Sequence, residues 1–245
     1  MEVINDILGY KNRKIYQNDD YFLFSLDSIM LANFVTIRKR DKKILDLGTG
    51  NGVIPLIMTL RCDKKIECVE IQKPLYELAV KSIKYNNLDD RIVPYNIDMK
   101  DFVTSNNCNQ YDLITCNPPF FKNYDKFLNE INEKAIARHE IKITLEEVIS
   151  ISSKLLSNDG NLAIVNRPDR LVEMIEYMKK YKIEPKRMRF VYETINKEST
   201  LVLLEGQKNG KSGLKIENPF ILKENGCDTL EYTKIKEVPN EAKEL

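Results

Sequence analysis

Asp46-Leu47-Gly48-Thr49-Gly50-Asn51-Gly52 follows a short β-branched run at 43–47 and leads into a helical pattern at 55–60. A strand that ends in glycines and turns straight into a helix opens a βαβ unit. Residues without a Cβ let the backbone turn sharply and approach a ligand at the carboxyl edge of a parallel sheet. A second β-branched run at 66–71 contains Glu70, twenty residues beyond Gly50. At that interval an acidic side chain accepts from the two ribose hydroxyls of an adenosine moiety. Asp46, Gly48, Thr49, Gly50, Asn51 and Gly52, with Glu70 and the adjoining Ile71, are therefore the candidate cofactor residues.

The residue three beyond Gly50 is Val53, so the third glycine of the dinucleotide fingerprint is missing. A third strand at 91–96 runs into Ile97-Asp98-Met99. These features favour S-adenosylmethionine over a dinucleotide, whose pyrophosphate wants an open helix terminus. Asp98 and Met99 then stand beside the adenine. Asp98 either accepts from the adenine amino group or caps the turn before Lys100.

From residue 42 to 206 strand-like runs alternate with stretches of helical period, the pattern of a parallel sheet covered on both faces. Strands are predicted at 43–47, 66–71, 91–96, 111–116, 161–166, 187–192 and 201–205, and helices at 55–60, 74–86, 145–156 and 169–181. The last two strands are joined only by 193–198, which predicts an antiparallel hairpin at one sheet edge. The expected fold is α/β, a seven-stranded, mostly parallel, doubly wound sheet. Residues 1–40 carry YFLFSLDSIMLANF at 21–34, too apolar to stay in water, and should pack on the core and the cofactor site. Residues 41–206 form the sheet domain. Residues 207–245 form an extension with one more strand at 214–222 and a frayed tail from 239.

The fourth predicted strand runs into Asn117-Pro118-Pro119-Phe120. Two prolines in succession have fixed φ and no N–H, so they make a stiff lip whose carbonyls point in set directions. An exocyclic aromatic amine is a poor nucleophile because its lone pair is delocalised into the ring. An Asn side-chain oxygen and the Pro118 carbonyl, each accepting one N–H, would rehybridise that nitrogen and aim its lone pair at a methyl donor. Phe120 would stack on the base, a contact worth ~1–3 kcal/mol.

The bulk numbers narrow the field further. With 245 residues, 42% of them hydrophobic, the chain can bury a sizeable core, and its net charge of +1 excludes a protein that coats polyanions by bulk attraction. Five cysteines form no CxxC pair, which argues against a disulfide framework or a thiolate zinc site and for a reducing cytoplasm. A single histidine, His139, rules out a two-histidine metal site. The first residues contain no signal peptide or bilayer span. No metal, no membrane and no obligate protein partner is expected.

DLGTGNG, VEI and NPPF in this order resemble the class I, Rossmann-like, S-adenosylmethionine-dependent amino-methyltransferases. More narrowly, FSLDSIMLANF (24–34), ILDLGTGNGVIPL (44–56), NPPFF (117–121), ARHE (137–140), NRPDRL (166–171), EPKRMRFV (184–191) and LLEGQKNGKSGLKI (203–216) are similar to the bacterial tRNA1(Val) adenine-37 N6-methyltransferase family. The resemblance implies methylation of an adenine beside the anticodon of a tRNA, with S-adenosylhomocysteine as by-product. It also implies that Asp46, Gly48, Gly50 and Glu70 hold the donor, that Asp98 meets its adenine, and that Asn117, Pro118, Pro119 and Phe120 hold the target base. Ser25 and Asp27 would close over the methionine end, although Asp27 serves equally as a helix cap. The same lip serves a guanine N2 of ribosomal RNA or a release-factor glutamine. A silent RNA-binding scaffold is a further alternative.

An anticodon loop presents a base that is already splayable, so a local phosphate grip suffices. Three basic clusters are candidates: Lys179 to Arg189, including Lys186, Arg187 and Arg189; Arg38 to Lys43; and Lys208, Lys211 and Lys215. Arg138 and His139, in a loop expected over the site at 121–141, are further candidates for substrate contact. Positive charge is expected to concentrate on the face that carries Asn117 to Phe120.

Overall fold

The structure is a computed structural model that describes residues 2–7, 10–18, 26–104, 107–118 and 143–236. Ser25, Pro119, Phe120, Arg138, His139, the expected loop at 121–141 and the tail from 239 lie outside the described residues.

The chain opens with a hairpin of β1 (Glu2–Ile7) and β2 (Tyr10–Asn18), followed by helix α1 (Leu26–Phe34). Then come β3 (Ile44–Leu47), α2 (Val53–Met58), β4 (Ile66–Glu70), α3 (Lys73–Tyr85), β5 (Ile92–Asn96) and β6 (Tyr111–Cys116). After residue 142 follow α4 (Leu145–Leu155), β7 (Leu156–Asn166), α5 (Leu171–Lys180), β8 (Ile183–Tyr192) and β9 (Ser199–Lys208). The described chain closes with the short strands β10 (Lys215–Ile216), β11 (Phe220–Ile221), β12 (Lys223–Glu224) and β13 (Cys227–Asp228), and helix α6 (Leu230–Lys236).

The main sheet has the order β10-β8-β9-β7-β6-β3-β4-β5, with β11 also on β8. β3 to β7 run parallel, and β9 lies antiparallel between β7 and β8. The expected antiparallel hairpin is therefore present, but β10 and β11 pair outside β8, so the sheet has nine strands rather than seven and the hairpin is not its edge. The central strands carry apolar residues on both faces because helices cover both. On β3, Ile44 joins one core with α1, α2 and the N-terminal hairpin, whereas Leu45 and Leu47 join the other with α4 and α5.

One register row crosses the sheet: Arg187 pairs with Glu205, Glu205 with Ala163, Ala163 with Thr115, Thr115 with Asp46, and Asp46 with Cys68. Directly opposed residues share a face, so four polar side chains of that row look toward α1 and α2.

The N-terminal elements differ from the simple apolar segment of the sequence reading. β2 docks on α3 by imitating a strand partner: Tyr16 N donates to Ser82 Oγ (2.9 Å) and Lys14 N to Asn86 Oδ1 (3.0 Å). The last carbonyls of α1 have no partners within the helix, and arginines supply them. Arg61 donates to Ala32 O and Val35 O, and Arg187 to Phe34 O while stacking 4.0 Å over the Phe34 ring. Thr36 N is held by the buried Glu205 carboxylate.

Several boundaries moved: β7 begins at Leu156 rather than 161, and β9 spans Ser199–Lys208 rather than 201–205. β8 begins at Ile183 rather than 187 because Pro185, which lacks an N–H, sits at a register irregularity, where the missing donor is tolerated. The run at 214–222 is split into β10 and β11, with Pro219 between them.

Candidate functional site

The strand order reverses between β3 and β6. β3, β4 and β5 spread one way and β6, β7 the other, so a crevice opens outside their carboxyl ends. Leu47 pairs with Cys116, which sets the residues after each, Gly48 and Asn117, on neighbouring strands ~4.8 Å apart in the sheet. Two motifs nearly seventy residues apart in the chain thus share one edge.

The glycine loop is laced to β4. Gly48 N and Thr49 N both donate to Val69 O (2.9 and 3.0 Å), and Gly50 N donates to Glu70 Oε2 (2.9 Å). Glu70 Oε1 accepts from Gln72 N (2.9 Å). Burial pushes the Glu70 carboxyl above the usual range, opposed by those backbone donors. Each oxygen retains lone-pair capacity for a ligand hydroxyl. Gly50 has φ 58°, and a Cβ built there would meet nothing within 4 Å. The backbone lies open at that point.

Asp46 is fully buried and accepts from Thr115 Oγ1 (2.6 Å) through Oδ1, while its Oδ2 and the Thr49 hydroxyl have no partner among the described residues. Burial pushes its carboxyl up to about 7. Ile71, just past Glu70, is exposed. Met99 reaches over Gly48, its Cε 3.8 Å from where a Cβ would stand.

Two candidates have local duties. Asn51 Nδ2 donates to Tyr16 O (3.2 Å), joining the glycine loop to the N-terminal hairpin. Asp98 Oδ1 accepts from Lys100 N (2.8 Å), the capping alternative of the sequence reading. Gly52 has φ 89°, a left-handed conformation that favours glycine, and packs beside Ala79 of α3.

Asn117 is half-buried and Pro118 buried. Asn117 Nδ2 donates to Ser28 Oγ at 2.9 Å, which brings α1 to the lip. Sequence reasoning named Ser25 and Asp27 in this stretch and missed Ser28. Asp27 sits in the first turn of α1.

The basic clusters fall elsewhere. Arg38 to Lys43 precede β3, Lys208 ends the antiparallel β9, and Lys179 to Lys186 span the end of α5 and the start of β8. These residues lie at or toward the amino edge of the parallel strands, opposite the glycine loop. Arg187 and Lys215 stand in the register row of Asp46, and Arg189, through Leu203 and Val165, stands level with Asn117 at the far side of the sheet.

The three substrate-contact candidates there are also engaged. Lys186 donates to Lys211 O, Arg187 to Glu205 and Glu217, and Arg189 to Glu231 and Asn218 O. β8 is three strands from β6, or ~14 Å. The structure brings none of the three to the crevice, and Arg187 is instead a tether for α1 and Glu205. Arg187→Ala is expected to lower stability by about 2 kcal/mol. That is less than for a fully buried pair, because the side chain keeps 24% exposure. Urea unfolding reads the loss. The salt dependence of RNA binding should not change, and a flattened salt slope would restore Arg187 to the RNA footprint.

Among the described residues no three His, Cys, Asp or Glu side chains gather as a metal site, and no helix is long and apolar enough to cross a membrane.

Comparison with known proteins adds to this geometry. The methyltransferase small domain family matches residues 26–191. A tRNA1(Val) (adenine(37)-N6)-methyltransferase of Flavobacterium psychrophilum is 27% identical over 207 residues, covering 83% of this chain and 87% of the relative. One of the same name from Porphyromonas gingivalis is 29% identical over 206 residues, covering 82% and 80%. Among solved structures, a predicted O-methyltransferase from Agrobacterium tumefaciens superposes with a TM-score of 0.69 at 18% identity, over 86% of this chain and 95% of that one. TYW2 of M. jannaschii in complex with AdoMet gives 0.58 at 12% identity, over 84% and 85%.

Proposed function

The chain belongs to the methyltransferase small domain family, with the Rossmann-like class I fold of its solved neighbours, and from that membership we propose a reaction. It transfers a methyl group from S-adenosylmethionine to the N6 amine of adenine 37 in the anticodon loop of tRNA1(Val), the reaction that names its bacterial relatives. The observation that carries this reading is the meeting of Asn117 with the glycine loop at the switch point of the sheet.

The residues fit the donor. Glu70 offers a carboxylate already aligned by Gly50 and Gln72 for two ribose hydroxyls. The open backbone at Gly50 admits the nucleoside, exposed Ile71 offers an apolar face to its adenine, and Asp98 and Met99, with Met99 reaching the glycine loop at Gly48, are the further adenine contacts of this reading. The buried, unpartnered Asp46 Oδ2 is a negative pole suited to a cationic molecule. When bound, the donor supplies an electrophilic methyl on a positively charged sulfur, and S-adenosylhomocysteine remains.

Asn117 Oδ1 and the Pro118 carbonyl accept the two N–H groups of the adenine amine and return its lone pair to the nitrogen. Pro119 and Phe120 complete the lip in this reading, and Phe120 stacks on the base. Once methylated, the nitrogen is acidic enough to lose its proton to water, so no histidine base is required. The substrate places the protein in the cytoplasm.

Incubation with labelled donor and tRNA from cells lacking the gene should yield N6-methyladenosine at position 37 alone, mapped by mass spectrometry of tRNA fragments. Label on guanine or on protein would overturn the substrate.

A further inference from the structure

We propose that Ser28 is a positioning residue that holds the Asn117 amide in place at the lip; the proposal rests on the amine-methylating reading of the lip. An Asn side chain presents an acceptor and a donor on opposite sides of the same planar group, and rotation about its last torsion exchanges them. Only the acceptor end can take an N–H from an aromatic amine. A flipped amide would set donor against donor at the reacting nitrogen. A serine hydroxyl accepts from Nδ2 or donates to Oδ1, so such a partner fixes where the amide plane lies, and the N–H groups of the amine then select the orientation that turns Oδ1 toward them.

That partner is the Ser28 hydroxyl, which accepts from Asn117 Nδ2 at 2.9 Å. The contact spans 89 residues and links α1 to the end of β6. With Nδ2 on Ser28, the acceptor end of the amide is left for the substrate. Ser28 is itself buried, at 7% exposure, where water competes poorly for the bond.

The tether is useful only if α1 is held still, and the fold supplies that. Arg61 and Arg187 occupy the carbonyls at its C-terminal end, Asn33 donates to Tyr10 of the hairpin, and Ile29, Met30 and Leu31 are buried in the core. Ser28 acts through Asn117 and contacts no reacting atom in this scheme. The short apolar segment ahead of the sheet thereby becomes part of the catalytic arrangement, through one hydroxyl in the first turn of its helix.

Ser28→Ala keeps a good helix former in place and removes the acceptor. Its kcat for tRNA methylation should fall about tenfold, the size of one partly buried hydrogen bond. The calorimetric donor affinity and the KM for tRNA should stay within about twofold. Ser28→Thr, which retains the hydroxyl, should recover most of the lost kcat. A wild-type kcat in Ser28→Ala would overturn the tether, as would a loss confined to donor affinity or to the melting temperature, or Ser28→Thr as slow as Ser28→Ala. Wild-type protein in the same assay separates the two readings. Transfer by wild type with unimpaired Ser28→Ala overturns the tether alone, whereas no transfer by wild type overturns the substrate reading and the tether with it.

Discussion

Asn117→Ala is expected to lower kcat by about 10²- to 10³-fold, the loss seen when one preorganised hydrogen-bonding group is removed from an active site. The reason lies in the substrate. An adenine amine has almost no nucleophilicity while its lone pair is shared with the ring, so the amide oxygen acts where charge develops rather than where the ground state binds. Its half-buried setting on a stiff Pro118 backbone limits reorganisation as the reaction proceeds. Donor affinity should be nearly unchanged, because Glu70 and the glycine loop are laced to each other and not to Asn117. Single-turnover transfer and donor calorimetry measure the two quantities separately. Turnover within fivefold of wild type would remove Asn117 from the chemistry.

The second large effect concerns Asp46 and pH. In the unfolded chain an aspartate titrates near 4, whereas burial in the folded protein raises Asp46 to about 7. Between those values the folded state binds a proton that the unfolded state has released. The contribution from neutral Asp46 is thus fully present below about pH 4 and is lost as pH rises through about 7. The slope is about 1.4 kcal/mol per pH unit for one proton. Asp46→Asn cannot ionise and should flatten that part of the curve, so urea midpoints of the two proteins lie nearest each other at about pH 4, separate progressively to about pH 7 and stay apart at pH 8, the variant gaining relative to wild type. Identical slopes would show that Asp46 titrates normally. This burial of an acid with one unpartnered oxygen is a cost of keeping a negative pole in the cofactor crevice, which a donor carrying positive charge would relieve.

The central βαβ architecture was legible because it rests on local rules. The runs at 43–47, 66–71 and 111–116 are mostly apolar on both faces, since both faces of β3, β4 and β6 are covered, and the glycines after β3 and the prolines after β6 mark where those strands end. The pairing of Glu70 with Gly50 was legible for the same reason: βα units have a nearly constant length, so a spacing of twenty residues becomes a 2.9 Å contact. The N-terminal hairpin was not legible. β2 owes its place to bonds with Ser82 and Asn86 on α3, about seventy residues away, and its own polar sequence has no strong period. Nor was the duty of Arg187 legible, because a lysine- and arginine-rich stretch looks the same whether its charges face solvent or reach helix carbonyls.

The sequence by itself determined the class of sheet, the glycine loop with its acidic partner, and the lip that suits an amine, since each depends on residue type at short or fixed spacing. Tertiary structure alone decided which side chains meet across the fold. It set Ser28 against Asn117, committed Arg61 and Arg187 to the end of α1, and placed Arg38 to Lys43 and Lys208 on the edge away from the crevice. The physical reason is that such contacts depend on the order and direction of strands and on how helices dock over them. Those are properties of the whole packed core, and no window of neighbouring residues contains them.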